Sequence, residues 1–237
     1  MSEWSIAINF MFPETLKPVV PKAITLVCTI HAERGKANAS ELLAILERIQ
    51  PEVIFLELPP DAMDQFIDKG AMGDLESAAV RRYCEDRNVG LVPVDITPPD
   101  HEFLDDYRRV QKMVDNISRD SRRLMTWHKN YVYDHGFAYL NSEYGDKMFS
   151  EIASDELNTL QALGDSSLLE IAEQWRRTNA IRESEMMKKI DQYCREAAFA
   201  RGTFLIGAGH RHAIIEKSRQ YFCDPHSVRW DFSCGQT

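Results

Sequence analysis

Long apolar runs, patterned cysteines and surplus positive charge are all missing from these 237 residues, and each absence removes a class of protein. The longest apolar stretches, Ala23 to Ile30 and Val53 to Leu58, fall far short of the roughly 18 residues that a membrane-spanning helix needs, so no membrane partner is expected. Glu3, Asn9, Pro13 and Glu14 interrupt the start of the chain, which lacks the basic opening and apolar core of a secretion signal. The expected compartment is the cytoplasm. Five cysteines (Cys28, Cys84, Cys194, Cys223, Cys234) are scattered without a C-x-x-C spacing, which fits neither a disulfide framework nor a zinc ribbon. With 28 Lys and Arg against 37 Asp and Glu, the net charge of −9 argues against nucleic acid, because phosphate binding draws on clustered cations. The basic stretch Asp105 to Lys129 carries seven Lys or Arg against four Asp and reads as a solvated helix face. Repeats and low-complexity tracts are absent.

What remains is an ordinary globular composition, 44% hydrophobic and 27% charged, at a length that suits one α/β domain over residues 1–237. Ala23 to Ile30 (AITLVCTI), Val53 to Leu58 (VIFLEL) and Leu91 to Ile96 (LVPVDI) are near-continuous apolar runs, as expected of strands buried on both faces of a parallel sheet. Between the first two, Leu42, Ile45, Leu46 and Ile49 fall at helical spacing, with Asn38 or Ser40 as the cap and Pro51 beyond the end. Asp74 is expected to start a second helix and Gly90 to close it. The order β-α-β-α-β predicts a mostly parallel central sheet flanked by helices. From Asp100 to Arg201 the pattern turns helical and polar, an insertion or lid between the third and fourth strands, with Trp127 to Tyr144 read as a helix end and loop. The sheet resumes at Thr203 to Ala208 (TFLIGA) and ends at Ser227 to Phe232 (SVRWDF).

Polar groups stand at four of these strand ends: His31, Glu57, Asp95 and His210. A parallel sheet aligns its carboxyl ends on one edge, where ligands bind, so these residues are expected to converge. Two imidazoles and one or two carboxylates are a donor set suited to Zn, Mn or Fe, with His31, His210 and Glu57 as the candidate ligands. Glu57 is the most informative, since a carboxylate inside an apolar strand needs a partner. An N-cap or turn role for Asp95 and surface or structural roles for His212, His128 and His135 are the plain alternatives. Gly207-Ala208-Gly209-His210 allows a tight turn or a close ligand, but position 212 is His where a dinucleotide fingerprint needs glycine.

Together, Cys28-Thr29-Ile30-His31, Glu57 at the end of Val53 to Leu58, Ile181-Arg182-Glu183-Ser184-Glu185-Met186 and Gly207-Ala208-Gly209-His210 resemble the TraB/PrgY and Tiki superfamily, whose wider circle includes the erythromycin esterases and the haem-binding ChaN proteins. Family members carry a G-x-x-H after a first strand, a Glu closing the next, an Arg on a late helix and a second G-x-x-H. Cys28 stands here where the family has Gly, and Ile181 and Glu183 depart from its helix motif. The membrane helices of TraB/PrgY proteins are not in this sequence. The resemblance implies a hydrolase of an ester or amide in a small molecule or peptide, using Mn, Zn or Co to bring a bound water's pKa from about 15.7 towards 7. Glu57 would then be a ligand or the general base, and Arg182 would hold an oxyanion or pair with Glu57. Asp95, Gly207, Gly209 and His212 would orient ligands or bind substrate. The ChaN relatives leave a second expectation, a haem or iron binding protein without catalysis. A third, a regulatory or homodimerising module, rests on Trp127, Tyr131 and Trp175 in the helical section.

Overall fold

The computed structural model describes residues 22–68, 75–97, 99–221 and 228–234. The segment read for a secretion signal, Asp74, Pro98, Cys223 and Ser227 lie outside them. Five strands form one sheet, β1 (Lys22–Thr29), β2 (Val53–Leu56), β3 (Gly90–Pro93), β4 (Arg201–Gly207) and β5 (Val228–Asp231), in the order β3-β2-β4-β1-β5 with every pairing parallel. The apolar runs place β1, β2 and β4 in the middle, and Ile24, Phe55 and Phe204 are fully buried.

Helix α1 (Ala39–Ile49) follows β1, and Asn38 caps it, its side chain accepting from the Glu41 amide at 3.0 Å. Helices α2 (Met63–Asp68) and α3 (Leu75–Cys84) lead to β3. Gly90 does not close α3. Its amide donates to the Glu52 carbonyl at 2.9 Å, which brings it into the ladder as the first residue of β3. Helices α4 (His101–Ile117), α5 (Arg119–Leu140), α6 (Glu143–Leu163) and α7 (Ser166–Glu196) form the expected insertion between the third and fourth strands, and α8 (Arg211–Tyr221) joins β4 to β5. Helices α1 and α3 pack on each other, as do α7 and α8. Right-handed crossovers put the first pair on one face of the sheet and the second on the other. No helix among the described residues is long and apolar enough to cross a membrane.

The stretch Trp127 to Tyr144 is helical through Leu140, where a loop was expected. Tyr131, His135 and Tyr139 recur every fourth residue, and Tyr131 stacks on the other two at 5.7 and 5.4 Å, so the aromatics reinforce the helix. Gly136 alone departs from helical geometry, at φ 53° and ψ −130°. A Cβ there would come within 2.5 Å of the Lys36 backbone. The same helix end repairs β1. Because β5 pairs only with Lys22 to Thr25, the outer edge of β1 is bare at Cys28, and Asn141 fills the gap. Its Oδ1 accepts from the Cys28 amide at 2.8 Å and its Nδ2 donates to the Cys28 carbonyl at 3.1 Å. Of the three aromatics singled out for an interface, Trp127 is exposed, whereas Tyr131 and Trp175 are partly covered by other rings.

Candidate functional site

The chain leaves β1 towards β2 and leaves β4 towards β5, in opposite directions across the sheet. The crevice outside such a switch point is where an open parallel sheet binds ligands. Glu57 is the first residue past β2, and its own amide donates to the Leu205 carbonyl at 3.3 Å. That contact holds the carboxylate beside β4. Its Oε2 accepts from the Gly207 amide at 2.7 Å, and its Oε1 accepts from Arg182 Nη2 at the same distance.

Arg182 comes from α7 and ties two strand ends together. Nε donates to both Asp95 oxygens at 3.2 Å, Nη2 donates to Asp95 Oδ2 at 2.6 Å, and Nη1 donates to Asn179 at 3.2 Å. The Asp95 side chain is 3% exposed, and those of Glu57 and Arg182 are 11% each. Lys189 donates to the Asp95 carbonyl from the next turn but one of α7. His210 completes the group. Its Nδ1 lies 2.8 Å from Glu183 Oε1 and its Nε2 lies 3.4 Å from Glu57 Oε1.

These contacts set the charges. Burial pulls the His210 imidazole down, but its hydrogen bonds to Glu183 and Glu57 outweigh that and hold its pKa up at about 9, so it is an imidazolium at neutral pH. Burial raises Glu57, but His210, the Gly207 amide and Arg182 together hold it down at about 2. A carboxylate that acidic is a poor base, and all of Arg182's nitrogens are engaged with protein partners.

The floor formed by this cluster opens into a cavity of about 610 Å³, whose lining includes Glu57, Glu183, Gly207, Gly209, His210 and His31. Its walls are the helical insertion, with Tyr107 and Gln111 from α4, Met125 and His128 from α5, Phe149 and Ile152 from α6, and Trp175 and Asn179 from α7. His128, read from sequence as a surface or structural residue, is in this wall, its Nδ1 2.9 Å from the Tyr139 hydroxyl.

Glu57, Asp95, Arg182 and His210 are thus gathered at one place, with Gly207 supplying an amide. His31 is exposed and lines the same cavity, but its side chain enters none of these bonds. Gly209 lines the cavity opposite Phe149. His212 points away on the exposed side of α8. Glu183 was not singled out from sequence, although a signal for it exists. Met186, Met187, Ile190 and Cys194 are buried at helical spacing from it, so Glu183 is a carboxylate on an apolar stripe, the same anomaly that marks Glu57.

The donor chemistry here does not fit a divalent ion. Glu57 and His210 are committed to Arg182, Gly207 and Glu183, the guanidinium supplies the positive charge, and no three His, Cys, Asp or Glu side chains among the described residues are gathered as ligands. Haem iron fits His210 no better, since both ring nitrogens face carboxylates.

No family model and no curated protein matches the chain. Among solved structures it is similar to a mutant of the erythromycin esterase EreC in its open conformation, at 16% identity and a TM-score of 0.35, over 81% of this chain and 62% of that one. The chain spans less than two thirds of that esterase. A likeness this small carries no argument about activity, which rests on the cluster itself.

Proposed function

We propose that the protein is a hydrolase that cleaves an ester or amide of a small molecule with a water activated by histidine. The observation that supports this reading is an imidazolium, His210, fixed between two buried carboxylates on the floor of a cavity that carries a second imidazole, His31. An imidazole is the side chain best matched to give and take a proton at neutral pH. In this reading His31 takes a proton from water as its oxygen adds to the carbonyl carbon. The carbonyl oxygen gains the negative charge and is held by the His210 Nε2–H. The 3.4 Å separation of that nitrogen from Glu57 is long for a charge-assisted bond, so a substrate oxygen competes for its proton. Collapse of the adduct breaks the C–O or C–N bond, and His31 returns its proton to the leaving atom. Glu57 and Glu183 keep His210 charged and oriented, and Arg182 keeps Glu57 in place.

The test is hydrolysis of a panel of phenyl esters and anilides by wild type, His31→Ala and His210→Gln. Each substitution is expected to lower kcat by about 10² to 10⁴, the usual worth of a positioned proton-transfer group, with the circular dichroism spectrum unchanged. Chelation is expected to leave wild-type activity intact. A wild type that cleaves none of the panel, or variants that keep its rate, would sink the reading.

A further inference from the structure

The two ring nitrogens of His128, in the α5 wall of the cavity, meet different surroundings. Nδ1 lies 2.9 Å from the hydroxyl of Tyr139, a residue that is 4% exposed. That hydroxyl has no other hydrogen-bond partner among the described residues. Burial pushes the phenol well above its ordinary range, so Tyr139 holds its proton at neutral pH and needs an acceptor for it. Nδ1 is that acceptor and is therefore unprotonated. Burial, with Arg34 and Lys129 nearby, lowers the imidazole below its usual value, so the ring is neutral and carries its one proton on Nε2. Nε2 has no hydrogen-bond partner among the described residues. Unlike the Nη2 of Arg176, which is enclosed beside Glu156 at 3.6 Å, it keeps accessible surface, on a side chain that lines the cavity. Phe149 meets the ring edge to face, with centroids 4.9 Å apart and planes at 63°, and together with Tyr139 holds it in place.

We propose that His128 is a substrate-binding residue whose Nε2–H donates to an oxygen of the substrate, which is then an ester or amide carrying an acceptor oxygen, carbonyl or ether, on an apolar body. The proposal rests on the hydrolase reading for the use of the cavity as the substrate chamber. The apolar body is set by the neighbours of His128 in the lining, Ile30, Met125, Phe149 and Ile152. The oxygen is set by the tautomer. A nitrogen that already holds a proton cannot take another, so His128 is no base and the proton of the attacking water is left to His31. A body with a methylene in place of the oxygen is disfavoured, because the N–H then loses water and gains no acceptor. Tyr139 acts through His128 as a positioning residue, since its hydroxyl decides which nitrogen carries the proton.

The test begins with long-range proton–nitrogen correlation spectra of the full chain with ¹⁵N-labelled histidine, the His128 signals being those missing from His128→Gln. At neutral pH they are expected to show a neutral ring protonated on Nε2, and a ring protonated on Nδ1 or on both nitrogens would overturn the assignment. Titration with benzylacetone is expected to move the Nε2 resonance to saturation, whereas butylbenzene, the same body without the oxygen, leaves it in place. No movement with the ketone, or equal movement with both, counts against the donor. On the phenyl esters, His128→Phe is expected to raise KM about fivefold, the worth of one neutral hydrogen bond, with kcat changed by less than about twofold. His128→Gln, whose amide N–H replaces the lost donor, is expected to restore KM. An unchanged KM in His128→Phe, a Gln variant as weak as the Phe variant, or a kcat loss of about 10² or more in both would sink the proposal, the last because it marks proton transfer. The spectra and the titration are read on the wild type and stand whether or not His128→Phe folds. The Nε2–H tautomer and the ketone response, found in a protein that cleaves none of the phenyl esters, support the donor and remove the hydrolase reading instead.

Discussion

Replacing Arg182 by methionine keeps most of the stem's volume and deletes one charge from the centre of the cluster. Five hydrogen bonds disappear, to Glu57, Asp95 and Asn179, and two carboxylates stay behind at 11% and 3% exposure. Glu57 keeps the Gly207 amide and His210, but Asp95 keeps little more than the Ile96 amide at 2.8 Å. Breaking a buried ion pair by removing one partner costs about 3–5 kcal/mol, because the remaining charge is desolvated without compensation. Against a total stability of roughly 5–15 kcal/mol, that is a large fraction. Guanidinium denaturation at pH 7, followed by circular dichroism, measures it. Adding Asp95→Asn to the methionine variant is expected to recover about 1–2 kcal/mol, since it removes the stranded charge. A loss below about 1 kcal/mol for Arg182→Met would refute the reasoning, because it is the value of an ion pair in water.

The pH profile of stability follows from the two shifted groups. Glu57, lowered from 4.5 to about 2, contributes above pH 4.5 and loses that contribution as pH falls towards 2. His210, raised from 6.5 to about 9, contributes fully below 6.5 and loses it as pH rises towards 9. The unfolding free energy from denaturation is therefore expected to be highest between pH 4.5 and 6.5 and to fall on both sides, by about 3 kcal/mol on the alkaline side, and His210→Gln is expected to abolish the alkaline decline. Asn141→Leu leaves the buried Cys28 amide and carbonyl without their side-chain partner and is expected to cost about 2–4 kcal/mol in the same assay. Gly136→Ala forces a positive φ on a side chain and drives its Cβ into Lys36, with an expected loss of about 2 kcal/mol or more and a lower Tm.

Much of this architecture is legible in the sequence because burial on both faces leaves an unbroken apolar run. Ala23 to Ile30 and Val53 to Leu58 mark β1 and β2 to within one or two residues, and the order of strands and helices follows from spacing. Glu57 is legible for the converse reason, as a charge where the pattern forbids one. The ends are less so. Nothing in VIFLEL says that regular pairing ceases at Leu56, where β3 ends beside it although β4 runs on to Gly207. The helix at Trp127 to Tyr144 was hidden by its aromatics and by Gly136, whose backbone is set by Lys36, about a hundred residues away in sequence. Arg182 could be picked from a motif, but its commitment to Asp95 depends on how α7 crosses the sheet edge. Arg176 and Trp175 resemble any other solvated helix face until α4 and α6 are laid beside them.

The place of β4 governs how the molecule is made. Strands β2 and β3 pair with each other, as do β1 and β5, but β1 and β2 meet only through β4, which is synthesised after the whole helical insertion. When synthesis has passed β3, two strands, β1 and β2, stand with unfilled inner edges, and these edges must wait through some hundred further residues before the chain that joins them arrives. The last strand to enter the middle brings Gly207 and His210 with it. Competence of the cluster and closure of the sheet are one event, so a nascent or truncated chain ending before residue 207 has neither a complete sheet nor an imidazolium to hold.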